Sequence, residues 1–323
     1  MRGNGLRAAI AAAMMAVPVG VAACGGDGGS GTAAAPSDAP VIVATTPVLG
    51  AIVRDVVGDA AQVRVLMPNG SDPHEWRPSA RDAAALESAD LVVENGLDLE
   101  QGLGESIARA REGGTPVFTA TDHVDVRMVD DDPDGGEAGH AHEGEDGQGH
   151  GGEDPHFWTD PAQVRKVVVA LPAAVADATG RDVTGGAATA RSRLDALDAA
   201  AKKALGAVPA ARRHLVTGHD SLGYLADRYG LDVVGAVTPS LSSQGQVSAA
   251  HLADLEEAMR EAGVRVVFTE EGVPDAVADA ITEETGAQVV ELGTAVLPAD
   301  GTYASYIRDL SGRISSALSN SGG

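Results

Sequence analysis

The sequence predicts an α/β protein with two lobes, each built on a mostly parallel sheet flanked by helices, and one long linking helix that joins them. Short apolar runs alternate with helical stretches over residues 40–160, and the same alternation returns over residues 210–323. A long helical stretch over residues 161–209 separates the two regions. Strands that alternate with helices in this way are typical of parallel sheets with helices on their faces.

The first predicted lobe begins with a buried strand, Val-Ile-Val-Ala at residues 41–44. Ser79, with Asp82 three residues later, has the pattern of a helix N-cap. A Pro-Asn-Gly turn at residues 68–70 ends the second strand. The predicted strands are 41–44, 62–67, 89–94 and 116–118, and the predicted helices are 47–57, 79–87 and 99–111.

The linking region has apolar residues on one helical face, including Val164, Val168 and Val175. We expect Gly180 and the pair Gly185–Gly186 to interrupt it. In the second lobe the predicted strands are 213–217, 232–237, 264–268 and 288–292, and the predicted helices are 222–229, 251–262, 274–285 and 303–318.

Residues 1–23 have the features of a secretory signal, with a basic start, a short apolar run and small residues before the cut. Cys24 is the only cysteine, so no intrachain disulfide forms. The order Val-Ala-Ala-Cys resembles a bacterial lipobox, which predicts lipidation of Cys24; the alternative is an ordinary signal with a chance cysteine. The Gly/Ala/Ser-rich residues 24–39 then form a flexible tether to a membrane surface.

The formal net charge of −24 argues against nucleic acid as a partner. Much of this charge is local, because residues 122–154 contain twelve Asp or Glu and one Arg. A stretch so acidic and glycine-rich cannot bury enough apolar surface to offset the entropy of ordering it. We therefore expect a mobile loop rich in His, Asp and Glu at residues 122–153.

One short phrase occurs twice, as Asp72-Pro73-His74-Glu75-Trp76 and Asp154-Pro155-His156-Phe157-Trp158. Proline fixes its own φ and restricts the preceding residue, so each histidine sits on a stiffened turn. Imidazole is the commonest metal ligand in proteins. The repeat therefore predicts that His74 and His156 belong to one metal site built from distant parts of the chain.

His219 directly follows a predicted strand of the second lobe, and ligands of open α/β sheets bind beyond the carboxyl ends of strands. We expect it to complete the site with His74 and His156. A structural interpretation stays open, in which His219 lies in the N-cap region of the next helix and Asp220 or Ser221 caps it.

A closed tetrahedral zinc site needs a fourth ligand. Glu270 and Glu271 follow the predicted strand 264–268, and Glu270 is the candidate fourth ligand. The alternative is an acidic residue that stabilises a helix N-terminus. His140, His142 and His150 lie in the acidic loop, where we expect a loose metal-collecting role or incidental solvent-exposed histidines. The remaining three, His123, His214 and His251, are interpreted as structural or surface residues.

Taken together, these motifs resemble the zinc- and manganese-specific solute-binding lipoproteins of bacterial ABC transporters. The matching segments are residues 21–24, 71–74, 153–158, 216–224, 268–270 and 302–306. The resemblance covers essentially all of the chain after the tether. It implies two lobes linked by a rigid helix, with the metal held between them by His74, His156 and His219.

The resemblance also bears on the choice of metal. Manganese binders of this family often have an acid where this chain has His219, and a His-rich acidic loop is typical of zinc importers, so zinc is expected and manganese is the alternative. The family often places an Asp ligand where this chain has Ala295. Glu270 or a water molecule is then expected to complete the coordination.

The function that the resemblance implies is capture of Zn²⁺ outside the cytoplasmic membrane and delivery to an ABC permease with its ATPase. The protein would be a monomer, anchored to the outer face of that membrane, without catalytic residues. A less favoured interpretation is a zinc hydrolase with an open fourth position, but the sequence has neither a His-Glu-x-x-His nor a Gly-x-Ser-x-Gly motif. A surface adhesin or metal-storage protein is the third.

Overall fold

The computed structural model describes residues 39–129, 152–270 and 283–321. The first half contains a four-stranded, fully parallel sheet in the order β2-β1-β3-β4. Its strands are β1 (Val41–Ala44), β2 (Gln62–Val65), β3 (Leu91–Glu94) and β4 (Val117–Thr119). Parallel pairing requires a crossover between consecutive strands, and the helices of this half provide these crossovers.

A short antiparallel ribbon follows, made of β5 (Met128–Val129) and β6 (Gly152–Glu153). It flanks residues 130–151. The second half then repeats the topology of the first, because its parallel sheet has the order β10-β9-β7-β8. The strands are β7 (His214–Thr217), β8 (Asp232–Ala236), β9 (Val266–Thr269) and β10 (Gln288–Glu291). In both halves the first strand therefore lies between the second and the third.

Helices cover both sheets. They are α1 (Pro47–Val57), α2 (Ala80–Glu87), α3 (Gly104–Glu112), α4 (Pro161–Thr179), α5 (Thr184–Gly206), α6 (Gly223–Tyr229), α7 (Ala249–Ala262) and α8 (Tyr303–Asn320). Local signals set several boundaries. Ser79 caps α2 in a capping box with Asp82, as predicted, and Thr46 and Thr302 cap α1 and α8 through their hydroxyl groups.

The linking region is two helices, α4 and α5, that pack along each other. Gly180 ends α4 in the left-handed conformation (φ 69°), so the predicted interruption at this residue is confirmed. The interruption predicted at Gly185–Gly186 is wrong, because both residues lie in the first turn of α5. A Cβ at Gly186 would lie 2.0 Å from the carbonyl oxygen of Val56, so this glycine allows α5 to approach α1 closely.

One continuous apolar core includes residues of both sheets. Helix α5 contacts α1 of the first half, α8 of the second half and α4 beside it. Leu171 and Leu194 from the linking helices belong to the same buried cluster as Leu49 of α1 and Ile314 of α8. Each fully buried aliphatic side chain contributes about 1.5–3 kcal/mol, so this shared core holds the two sheets in a fixed arrangement.

The α/β fold with two parallel sheets flanked by helices is confirmed, and most strands agree with the prediction to within two residues. In the first half the predicted helix 99–111 begins as a 3₁₀ turn, and α3 proper begins only at Gly104. The predicted lobe boundaries stay a prediction. Several predicted features lie outside the described residues. They are the signal, Cys24, the tether, most of the acidic loop and most of the helix predicted at 274–285. Over the described ranges, no helix has the length and apolarity required to cross a bilayer.

Candidate metal centre

Three histidines from separate segments of the chain lie close together. His74 follows β2, His156 follows β6 and His219 follows β7. All three are buried, with exposed fractions of 7%, 2% and 7%. The Nε2 atom of His156 lies 3.4 Å from Nε2 of His74 and 3.2 Å from Nε2 of His219. One ring nitrogen from each residue lies within 4.8 Å of the others.

These separations fit a tetrahedral metal ion. Zn–N bonds are about 2.0–2.1 Å long, and two such bonds at a tetrahedral angle place their nitrogens about 3.3 Å apart. The two measured Nε2–Nε2 distances, 3.4 and 3.2 Å, bracket this value. The three rings are also tilted against one another by 56° to 89°, so their nitrogens converge on one region without stacking.

The repeated Asp-Pro-His phrase forms the same turn twice. In each copy the aspartate Oδ1 accepts a hydrogen bond from the backbone N–H of the histidine two residues later, at 2.9 Å for both Asp72–His74 and Asp154–His156. This is an Asx turn, which fixes the direction of the imidazole relative to the backbone. The stiffened turns predicted from the sequence are therefore present.

The two turns differ in what the aspartate does next. Asp154 Oδ1 lies 2.9 Å from Nδ1 of the His156 ring and accepts a hydrogen bond from it. Asp72 instead accepts from the Ser243 hydroxyl, and Nδ1 of His74 has no hydrogen-bond partner within the described part of the chain. Because Nδ1 of His156 carries the proton in this hydrogen bond, the neutral ring has its lone pair at Nε2.

Glu270 is placed on the far side of His219. Its carboxylate contacts Nδ1 of His219 and also accepts from the Ser221 hydroxyl. The three-histidine group that could hold a metal does not include it. The predicted capping role of Asp220 or Ser221 is wrong, because the N-cap of α6 is Leu222 without a side-chain cap. The Ser221 hydroxyl donates to Glu270 instead. Glu270 contacts Nδ1 of His219, and the other ring nitrogen, Nε2, is directed at His156.

Burial and neighbouring charges separate the proton affinities of the histidines. Burial, helped by the neighbouring rings of His156 and His219, lowers the pKa of His74 to about 2 and keeps it neutral. Burial also acts to lower the pKa of His219, but the Glu270 carboxylate reverses this and the net direction is upward. Burial acts to raise the pKa of Glu270, and His219 brings it below its ordinary value. His219 and Glu270 thus form an ion pair.

The space beside the histidines is small. It has a volume of about 30 Å³ and is lined on one side by the segment Gly293–Val296 and on the other by Ser71 and Asp72. That segment is held rigidly, because Thr294 O accepts hydrogen bonds from Trp158 Nε1 at 2.8 Å and Tyr306 Oη at 2.6 Å. A space of this size suits an ion with one or two water molecules.

The other described histidines lie apart from this cluster. The His123 ring stacks on Phe118 with centroids 4.6 Å apart, Nδ1 of His214 lies 3.0 Å from Asp232, and Nε2 of His251 lies 2.8 Å from the carbonyl of Ala236. Their roles are structural. His140, His142, His150 and Glu271 lie outside the described residues.

Sequence reasoning missed the groups that contact the candidate ligands and their carboxylate partners. The signal for Asp154 was present, since an aspartate precedes both histidines of the repeat by two residues. Ser221 as a donor to Glu270, and Arg127, which contacts Asp154, have no local signal because both contacts join residues far apart in the chain.

Comparison with protein families matches residues 42–317 to the family described as periplasmic zinc-uptake complex component A, or ZnuA. The chain belongs to the ZnuA family. The high-affinity zinc uptake system protein ZnuA of Bacillus subtilis is 30% identical over 278 residues, which cover 85% of this chain and 84% of the relative. The protein of the same description from Paracoccus denitrificans is 31% identical over 325 residues, covering 89% and 95%.

Comparison with solved structures supports the same fold over most of the chain. The periplasmic zinc-binding protein TroA of Treponema pallidum matches with a TM-score of 0.72 and covers 87% of this chain and 100% of its own. At 24% identity this likeness supports the fold alone. The resemblance inferred from the sequence motifs is confirmed at the level of the family.

Proposed function

We propose that this protein captures Zn²⁺ with His74, His156 and His219 and delivers it to an ABC-type importer. The observation that carries the proposal is the convergence of three buried histidines, with Nε2 of His156 at tetrahedral spacing from Nε2 of both His74 and His219. In two of the three rings, Nδ1 contacts a carboxylate. Metal-binding imidazoles are oriented in this way by carboxylates, which also raise ligand basicity. The relatives' descriptions as zinc uptake proteins support the cargo.

The donor set favours zinc over manganese. Imidazole nitrogen suits Zn²⁺, Cu²⁺ and Ni²⁺, whereas Mn²⁺ prefers carboxylate, carbonyl and water oxygens. Glu270 directs its carboxylate to Nδ1 of His219, and the adjoining wall contributes Ala295, which has no donor. We propose three histidine ligands and a water molecule, with Glu270 as the group that orients His219. Manganese transport is the alternative.

The site is better suited to binding than to catalysis. A zinc hydrolase needs a base beside the metal-bound water. Both oxygens of Glu270 are engaged, by His219 and Ser221. The space beside the histidines is also small, about 30 Å³, which favours a bound ion over an organic substrate. We therefore propose that the protein is not an enzyme.

The family also supports a proposal for the partners and the location. We propose that a permease with its ATPase receives the zinc, that the protein acts outside the cytoplasmic membrane as a monomer, and that lipidation at Cys24 anchors it. The zinc-uptake role of the relatives supports the importer, and the Val-Ala-Ala-Cys order supports the anchor. Labelling with a radioactive fatty acid, compared between wild type and Cys24→Ala, tests the anchor.

The three-ligand site is tested by metal spectroscopy. We expect Co²⁺ added to the metal-stripped protein to give visible bands of tetrahedral intensity, and Zn²⁺ to remove them by displacement. The variants His74→Ala, His156→Ala and His219→Ala should each lose the bands. His251→Ala should keep them, because His251 is a half-buried histidine outside the cluster. Unchanged spectra in the three variants would place the metal elsewhere.

A further inference from the structure

Arg127 connects the ribbon that precedes His156 to the second half of the molecule. Its Nη1 lies 3.2 Å from Asp154 Oδ2 and 3.8 Å from Asp220 Oδ2, and its Nε donates to Asp227 Oδ2 at 3.0 Å. The Arg127 side chain is 21% exposed and that of Asp154 is fully buried. One guanidinium group therefore joins an aspartate of the first half to two aspartates of the second.

The surrounding backbone is shaped around this side chain. Arg127 N–H donates to Tyr224 Oη at 2.9 Å, Tyr224 Oη donates to the carbonyl of Asp154 at 3.1 Å, and Asp154 N–H donates to the carbonyl of Arg127 at 2.8 Å. Gly223 makes room for the guanidinium, because a Cβ at this position would lie 2.3–2.6 Å from three of its atoms. The position of Arg127 is thus fixed from three sides.

Asp154 divides its carboxylate between this arginine and the candidate ligand. Oδ2 faces Arg127, and Oδ1 accepts from both the backbone and the ring Nδ1 of His156. We infer that Arg127 is a positioning residue that holds Asp154 on His156 and thereby sets the zinc affinity of the site. This inference rests on the proposed function, since it assigns the group that orients one of the three proposed ligands.

Charge explains why the arginine is required. Without it, the buried Asp154 carboxylate would face Asp220 and Asp227 without the cation that contacts all three in the described structure. Asp220 Oδ1 already has no hydrogen-bond partner among the described residues. The Asp220 side chain is only 19% exposed, so its repulsion of Asp154 is screened less than in water, whereas Asp227 is 69% exposed and contributes less. Asp154 would then be free to rotate away from the position in which its Oδ1 accepts from Nδ1 of His156.

The test uses the metal-stripped full chain with Arg127→Gln, Arg127→Lys and Gly223→Ala. The glycine variant keeps the arginine but displaces its guanidinium by steric contact. Arg193→Gln is the matched control, because Arg193 also joins two elements by pairing with Asp55 but lies on α5, apart from the histidines. Thermal unfolding identifies any variant that fails to fold. Folded variants are then compared in two measurements.

The first measurement is zinc affinity by competition with a chromophoric chelator. The second is the ¹⁵N spectrum of labelled histidine without metal, which shows which ring nitrogen of His156 carries the proton. We expect Arg127→Gln and Gly223→Ala to bind zinc about 10- to 100-fold more weakly and to shift the His156 proton from Nδ1 towards Nε2. Arg127→Lys should recover part of both effects, and Arg193→Gln should change neither.

The outcomes separate the two proposals. If folded Arg127→Gln matches wild type in zinc affinity and in the His156 spectrum, Arg127 does not position the ligand and the inference is wrong. If wild type binds no zinc at the histidines, the proposed function is wrong, but the metal-free spectrum still decides whether Arg127 controls the His156 proton. Equal losses in Arg193→Gln would show a general effect of lost ion pairs and would also overturn the inference.

Discussion

Replacing Glu270 with glutamine tests whether this residue orients a ligand or is itself a ligand. In the structure its carboxylate contacts Nδ1 of His219 and the hydroxyl of Ser221, and it does not join the three Nε2 atoms. Glutamine keeps the shape and can still accept from Nδ1–H, but a neutral acceptor makes a hydrogen bond about half as strong as a charged one.

The expected loss of zinc affinity follows from that role. Groups that orient metal ligands typically contribute about 10- to 100-fold in affinity. This is about 1.4–2.7 kcal/mol, since each tenfold change corresponds to about 1.4 kcal/mol. His219→Ala should lose more, because it removes a metal–nitrogen bond outright. Glu94→Gln is a matched control, since Glu94 accepts from Thr119 and Arg111 at the end of β3 and should leave zinc binding unchanged.

The pH dependence sharpens this test. Glu270 raises the pKa of His219, so in wild type a proton competes with zinc at this ring as the pH falls through that raised pKa. Glu270→Gln removes the cause of the increase and lowers the pKa of His219. The difference in affinity between wild type and Glu270→Gln should therefore be largest at high pH and narrow in acid. A loss as large as that of His219→Ala at every pH would contradict the orienting role and favour Glu270 as a ligand.

Three further predictions follow. Zinc binding at neutral pH should release a proton from His219, seen as a calorimetric heat that depends on the ionisation enthalpy of the buffer; a buffer-independent heat would contradict the ion pair with Glu270. Ala295→Asp should add an oxygen donor beside the site and raise Mn²⁺ affinity relative to Zn²⁺, with Ala295→Asn as the uncharged control, and an unchanged ratio would show that this wall does not reach the metal. Gly186→Ala should lower the free energy of unfolding by about 1–3 kcal/mol in urea denaturation, because its Cβ would meet Val56 O at 2.0 Å, whereas Gly185→Ala, which meets nothing within 4 Å, should not.

Much of the fold could be predicted because its signals are local. Apolar runs such as residues 41–44 and 214–217 are short, bounded by turns and separated by helical stretches, and each forms a parallel strand. The repeated Asp-Pro-His phrase likewise has a local cause, since the aspartate bonds the histidine N–H two residues later. These short-range patterns also identified His74, His156 and His219 as a group.

The rest depends on contacts between distant residues. Glycine destabilises a helix interior, so Gly186 on its own indicates a break. The close approach of α1 explains why a glycine lies within α5. Glu270 follows a strand at the expected edge, yet its partner Nδ1 belongs to His219, 51 positions earlier (270 − 219 = 51). Arg127 and Asp220 lie in different halves of the chain and come together only when it folds. No pattern within one segment contains such pairings, so they become visible only in the three-dimensional structure.

Calorimetric titration of the metal-stripped protein with Zn²⁺ and with Mn²⁺, beside a variant lacking residues 130–151, tests the central claim most directly. We expect one tight zinc-binding transition per chain, which survives the deletion and is lost in His156→Ala. Manganese should bind more weakly. A tight event that disappears with residues 130–151 and persists in His156→Ala would contradict the three-histidine site.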